Sequence, residues 1–459
     1  MTFTSVPWLE LAVGVPLVGG ACLARVRDPY MAFRGCLALA SISLVCAVAA
    51  SGGYAWGLTT DGTSTNDLLY KLVGRKVFTV DALSATLVPI LALIHLLTAI
   101  STSRTKMSRF SFSWLLICQA IRMATFACDG WDLGILLVVG VLPPYLELRW
   151  RGRPTGVYVF HMLLFVALLL SGLAAGGEIA VVLLMGAVLV RNGTVPVHVW
   201  VTDLFENGSF GGALLYSTPI TAMYAALRLV LPLQPSDWIL VAIGSASLVT
   251  AVYAAGMAIV QTDARRFFAF LFLSHASLVL VGLELHTAIS LTGALALWGS
   301  VMLSMTGFGL TLRALEGRFG RLSLAEFRGL YASSPALAVS FLLTGLASVG
   351  FPGMSGFVAA ELLVDGAMGA NPFVGLVVVV ASALNGVAVM RAYFYLFTGV
   401  RYTSGVELGI TAGERVAVLT LTALILAGGF YPQAYITSRH HAAQAALGSR
   451  NEVTPAVEH

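Results

Sequence analysis

A handful of side chains set in otherwise apolar stretches could hold or move charge: Glu147, Arg191, His198, His275 and Glu361. A carboxyl or an imidazole in apolar surroundings can take up and release protons near neutral pH. Glu361, His198 and His275 are therefore candidates for a proton path, with Glu361 foremost. Each histidine could equally serve as hydrogen-bonding glue between helices. Arg191 cannot relay a proton, because a guanidinium stays charged in proteins. It can only be a fixed positive charge, and such a charge at bilayer depth costs several kcal/mol unless it is paired or wet. Glu147 and Glu361 are the acids available to it, and an ionised substrate or chloride is the other option. A structural ion pair, an electrostatic gate and an anion site all stay open for Arg191. Arg228 and Arg391 are expected to fix helix packing.

Other chemistries lack their residues. The five cysteines (Cys22, Cys36, Cys46, Cys118 and Cys128) form no C-x-x-C and no Cys/His cluster, so a metal or iron–sulfur site has no ligands. They read as free thiols acting as small hydrophobes. No cofactor is expected, and no catalytic set that would make the chain an enzyme by itself. The net charge of +4 comes from scattered arginines rather than a basic run, which argues against nucleic acid as a partner.

The elements that must position these groups lie in a membrane. Of 459 residues, 58% are hydrophobic and only 10% charged, against about 25% charged in a soluble domain. Apolar runs between polar punctuation predict fourteen spans, an all-α polytopic membrane protein. They fall near 8–24, 33–57, 80–101, 110–127, 131–148, 157–176, 178–200, 211–232, 238–261, 266–284, 287–314, 335–362, 371–398 and 414–433. The fourth is short and interrupted by Arg122. The N-terminus lacks the basic region and cleavage site of a secretory signal, so the first run is expected to be a mature helix.

Loop charge orients the spans. Loops of one parity hold Arg25, Arg27, Arg34, Arg104, Lys106, Arg109, Arg149, Arg151, Arg153, Arg265, Arg266, Arg313, Arg318, Arg321, Arg328 and Arg401; the other parity holds Lys71, Arg75 and Lys76, beside Asp61 and Asp67. The positive-inside rule places the first set in the cytoplasm and both termini in the periplasm of a bacterial inner membrane. The tail after Pro432 reads as short, polar and solvated, with Arg439, His440 and His441.

Two spans are broken. Asn192-Gly193 and Pro196 interrupt the seventh, and Gly350, Pro352 and Gly353 interrupt the twelfth. A helix opened at bilayer depth frees backbone groups that lipid cannot satisfy, so it must be buried in protein or face a wet cavity. A matched pair of breaks is the sequence sign of inverted repeats with an ion path between them; a packing kink is the plainer reading. The expected organisation is helices 1–3 over residues 1–109, a first repeat of helices 4–8 over 110–232, a second of helices 9–13 over 238–400, and helix 14 with the tail over 401–459.

At these residues the chain resembles a known family. Arg191-Asn-Gly-Thr-Val-Pro-Val-His-Val-Trp-Val-Thr-Asp203, followed by Ala213-Leu-Leu-Tyr-Ser-Thr-Pro-Ile-Thr-Ala222, is similar to the signature of the antiporter-like subunits of respiratory complex I. Mrp-type sodium/proton antiporters and membrane-bound hydrogenases share that signature. Phe78-Thr-Val-Asp-Ala-Leu-Ser84, Gln261-Thr-Asp-Ala-Arg-Arg-Phe-Phe-Ala-Phe270, Ser274-His-Ala-Ser277 and Gly350-Phe-Pro-Gly-Met-Ser-Gly-Phe357 with Glu361 resemble further motifs in the same order, and Arg391 and Gly399 fit the thirteenth helix. The resemblance covers roughly residues 78–400. It implies two inverted five-helix repeats that conduct protons along a polar axis at the midplane.

The departures concern that axis. Members of the family normally carry a Lys in the broken seventh helix, a Glu in the fifth, a Lys or His in the eighth or eleventh and a Lys or Glu in the twelfth, yet Lys71, Lys76 and Lys106 all lie in loops here. Arg191 stands at the seventh-helix position, and Tyr216 where a histidine is usual. Leu297, Val301 and Met305 replace the polar residues of the eleventh. The Trp-Glu of the fifth helix is absent, and Glu147 lies nearer that helix's basic end. Three functions follow from the resemblance: a proton-translocating subunit of a larger complex, whose redox chemistry belongs to its partners; the membrane half of an inorganic carbon (carbon dioxide/bicarbonate) transporter, partnered with a large soluble zinc protein resembling carbonic anhydrase; or a non-conducting scaffold subunit.

Overall fold

The computed structural model describes residues 5–59, 67–103, 107, 110–285, 287–399 and 409–451. The expected loop charges Arg104, Lys106, Arg109 and Arg401, with Asp61, lie outside the described residues. Among the described residues every regular element is helical, with a single antiparallel bridge between Asp263 and Ser323. Among the described residues nine helices are long and apolar enough to cross a membrane; Trp8–Leu23, Ser84–Ile100, Phe112–Thr125 and Pro335–Val349 are shorter apolar helices. The chain is a multi-pass membrane protein.

Two compact units share the chain, residues 1–143 with 411–417, and 144–410 with 418–459. The first contains α1 (Trp8–Leu23), α2 (Pro29–Ala55), α3 (Leu68–Val73), α4 (Ser84–Ile100), α5 (Phe112–Thr125) and α6 (Gly130–Val139). Asp28 caps α2 by accepting from the N–H groups of Tyr30 and Met31, and Pro29 suits the first turn because it has no N–H to leave unpaired. Glu10 accepts from the N–H groups of Leu68 and Leu69 at 2.8 and 2.7 Å, which holds the start of α3. Arg122 is buried in α5 without breaking the helix.

The second unit begins in α7 (Leu142–Trp150) and runs through α8 (Gly156–Ala174), α9 (Gly177–Asn192), α10 (Val199–Asn207), α11 (Phe210–Ser217) and α12 (Thr221–Ala225). A π-turn over Ala226–Val230 and a 3-10 turn over Leu231–Leu233 follow. Then come α13 (Asp237–Val260), α14 (Ala264–Val281), α15 (Ala288–Phe319), α16 (Pro335–Val349), α17 (Ser355–Ala370), α18 (Pro372–Phe397), α19 (Ala412–Phe430) and α20 (Gln433–Asn451).

Burial separates central from peripheral helices. The apolar windows of α14 and α15 are 89% and 83% buried, those of α8 and α18 only 33% and 39%, so α8 and α18 present most of their surface outward. Lipid is as apolar as leucine, so helices in it are held by close packing rather than by water exclusion. Gly293 of α15 lies against the Leu363 backbone of α17, where a Cβ would stand 2.5 Å from the Leu363 nitrogen. A run of rings, Phe205, Phe268, Phe308, Phe341 and Phe397, links α10, α14, α15, α16 and α18 at centroid spacings of 4.5–6.0 Å.

One expectation is corrected: the tail after Pro432 forms a helix, α20, that packs on α15 and buries Arg439 to 1% exposure, while His440 meets Thr292 at 3.1 Å. Gly130–Trp150 and Phe210–Leu233 each answer to one expected span, 131–148 and 211–232; within them the helix is interrupted at Gly140-Val141 and opens between Ser217 and Thr221, where Pro219 lacks an N–H and Ile220 adopts φ +46°.

Candidate functional site

The helix breaks set the polar interior of the second unit. α9 ends where Gly193 takes φ +80°, and α16 where Gly350 takes φ +85°, a left-handed conformation that glycine adopts without the penalty a side chain brings. At each, two N–H groups fold back onto the last turn: Gly193 and Thr194 onto Leu189, and Gly350 and Phe351 onto Ala347 and Leu346. Other helices close what the breaks leave open. Thr250 of α13 accepts from the Val195 N–H at 3.1 Å, and Trp298 of α15 donates to the Pro219 carbonyl at 2.9 Å. Pro196, at a cis peptide bond, is exposed, and Pro352 and Gly353 lie in the turn between α16 and α17.

One stretch of α14 connects these breaks. Asn192, the last residue of α9, donates its amide to Ser277 at 3.5 Å, and Asn385 of α18 donates to Ser274 at 2.9 Å. Between the two serines is His275, 2% exposed, whose Nε2 has no hydrogen-bond partner among the described residues. Near the second break the hydroxyls of Ser300 and Ser355 lie 3.1 Å apart. These groups are hydroxyls, amides and an imidazole. They can pass hydrogen bonds, and His275 is the one among them with a titratable ring.

Arg191 enters the bundle beside this belt. It is 6% exposed, its guanidinium 4.2 Å from the Tyr216 ring centroid and 5.4 Å from that of Trp200, and it donates to the Tyr216 carbonyl at 3.5 Å. The Tyr216 hydroxyl meets that of Tyr158 at 3.0 Å.

Neither acid named for Arg191 meets it. Glu147 forms an ion pair with Arg151 at 3.0 Å and accepts from the Ser209 N–H at 3.1 Å, so it braces the start of α11. Glu361 faces outward from α17, exposed. His198 lies against Tyr253 and Phe270, at ring distances of 5.4 and 6.1 Å. Arg228 stacks on Tyr224 in the π-turn; Arg391 donates to the Gln261 carbonyl at 3.1 Å and stacks on Tyr395.

Sequence reading passed over Asn385 and Tyr158, single polar groups on apolar helices. It also did not pair Arg265 with Glu316. That contact is two-pronged, at 2.7 and 2.8 Å, and Arg265 reaches the Phe205 and Gly208 carbonyls as well, tying the end of α10 to α15.

An all-helical membrane bundle with two opened helices flanking a polar belt defines the class of protein. Residues 155–385 match the family described as NADH:quinone oxidoreductase/Mrp antiporter, TM, and the chain belongs to that family. NADH-quinone oxidoreductase subunit M of Pseudomonas aeruginosa is 28% identical over 263 residues, 54% of this chain and 49% of that protein. The matched region thus spans about half the length of this curated relative. A chain of respiratory complex I from Thermus thermophilus superposes with a TM-score of 0.83 at 22% identity, covering 96% of this chain and 99% of that one. A chain of the Mrp complex from Dietzia sp. DQ12-45-1b gives 0.80 at 21%, covering 96% and 97%. At these identities the likeness establishes the shared fold.

Proposed function

We propose that this chain is a proton-translocating, antiporter-like membrane subunit of a larger energy-coupled complex in a bacterial inner membrane. The observation that carries the reading is the belt on α14, where Ser274 and Ser277 are joined to Asn385 and Asn192 with His275 between them. Protons would pass by way of His275, the flanking hydroxyls and water held at the opened helices. Arg191, permanently charged, would repel a passing cation and so divide the belt electrostatically. Electron chemistry would belong to partner subunits, since the family match brings no redox site into this chain.

The reading includes fourteen crossings, each broken span counted as one pair of half-helices. The breaks at Gly193 and Gly350, each in the fourth span of its proposed repeat (110–232 and 238–400), support two inverted repeats. The arginines at and just beyond the end of α7, at the start of α14 and at and beyond the end of α15 support a cytoplasmic placement for those ends, and with it periplasmic termini.

The test is a pulldown from native membranes followed by proton uptake into vesicles of the intact complex. Co-purification of redox subunits, with uptake that falls at least tenfold in His275→Leu, is the expected result. A large zinc protein as sole partner would make the chain the membrane half of an inorganic carbon transporter. Unchanged uptake after His198, His275 and Glu361 are all replaced would make it a scaffold.

A further inference from the structure

Arg191 is a buried cation with too few partners. A guanidinium carries five N–H donors and one permanent charge; here one donor meets one carbonyl, at 3.5 Å, and two aromatic rings take up part of the charge. Among the described residues no carboxylate comes within ion-pair distance of it. The acids of the surrounding elements are engaged elsewhere or turned away. Glu147 is held by Arg151 and Ser209, Asp203 accepts from Asn207, and Glu206 faces Arg266 and Arg321. At the far end of α9, Glu178 accepts from Ser236 and Trp238, and Glu361 points outward. The last carbonyls of α9 do not reach the guanidinium either, because Gly193, Thr194 and Trp200 donate to them.

The end of α9 and the opening between α11 and α12 carry unspent donors. The hydroxyls of Thr194, Ser217 and Thr221 are buried, with 0%, 4% and 1% of each residue exposed, and among the described residues none of them has a hydrogen-bond partner. Ser217 follows Tyr216 directly, and α12, which begins at Thr221, packs on α9. A permanent positive charge at the end of α9, with unpartnered buried hydroxyls on the turn that follows and on the segments beside it, is what a negative guest requires and what an apolar core would not tolerate.

We propose that Arg191, boxed by Tyr216 and Trp200 where α9 and α11 break, binds a small monovalent anion such as chloride or bicarbonate. One guanidinium neutralises one negative charge. The hydroxyls of Ser217 and Thr221 complete the anion's shell as donors. A doubly charged anion would leave an excess charge beside a guanidinium this buried. The proposal does not rest on proton translocation: binding is measured on the isolated chain at equilibrium, so transport can fail while binding holds, and the reverse.

The experiment is chloride-35 NMR on the purified full-length chain in detergent, with gluconate balancing ionic strength. The expected result is a saturable line-broadening that Arg191→Gln weakens at least tenfold, Arg191→Lys largely retains, and Thr221→Val weakens several-fold. Bicarbonate that removes the broadening at concentrations below those needed for chloride identifies the carbon anion as the better guest; a halide site needs more. Absence of saturable broadening in the unaltered chain overturns the proposal whatever the variants do, and so does equal broadening in a folded Arg191→Gln chain.

Discussion

Trp298 of α15 donates its indole N–H to the Pro219 carbonyl at 2.9 Å, so a third helix supplies the donor that the opened segment between α11 and α12 lost. Trp298 is fully buried. A buried carbonyl stripped of its donor costs about 1–3 kcal/mol. Trp298→Phe is therefore expected to lower stability by about that amount, read as a fall in the thermal midpoint of the detergent-solubilised chain. An unchanged midpoint would mean that Pro219 finds another donor.

Close helix approach gives a second prediction. At Gly293 a Cβ would press on the Leu363 backbone of α17, which has no flexible end to move aside. Overpacking of this sort costs about 1–3 kcal/mol, and Gly293→Val is expected to destabilise by at least that much. Gly256, with nothing within 4 Å of its Cβ position, is the control: Gly256→Ala should leave the midpoint unmoved.

The parts legible in the sequence are those with a local signal. Gly193 and Gly350 end their helices because glycine next to proline-bearing turns interrupts an apolar run in plain view. Pro219 carried the same signal, but its flanks are so apolar that the run still counts as one span. Glu147 and Arg151 stand four apart at the end of α7, the spacing of a local ion pair, and that proximity outweighs a distant claim on Arg191. Asn385 offered nothing of the kind. It is one amide on an apolar helix, and its partner Ser274 is 111 residues away. The burial of Arg439 was hidden because a polar composition describes a tail on the surface as well as a helix docked on α15.

Thiol reactivity separates two cysteines of the first unit. Cys128, in the turn before α6, is buried and donates to the Val77 carbonyl, and burial pushes its thiol up to about 12. The thiolate is the reactive form, so at pH 7–8 almost none is present. Labelling should be slow there and rise about tenfold per pH step toward 12. Cys22 is exposed on α1. Maleimide should modify Cys22 within minutes at pH 7.5 and reach Cys128 only after denaturation, with mass spectrometry of peptides as the readout. Equal labelling of the two would contradict the burial of Cys128.

The docking of α20 makes the last prediction. The Tyr435 hydroxyl donates to the Ala296 carbonyl at 3.2 Å, the Arg439 guanidinium lies 5.8 Å from the Tyr435 ring centroid, and His440 meets the Thr292 hydroxyl. Arg439 is 1% exposed, whereas the adjacent His441 is exposed. Arg439→Ala removes both the volume and the donors of a buried side chain, changes that fall among the strongly destabilising classes at about 2 kcal/mol or more. His441→Ala removes a group that the described structure leaves outside the contact, and should change stability by less than about 0.5 kcal/mol. Thermal midpoints of the two single variants, taken side by side, decide whether α20 is an integral part of the second unit. A tail that merely trails from α19 would make the two variants indistinguishable.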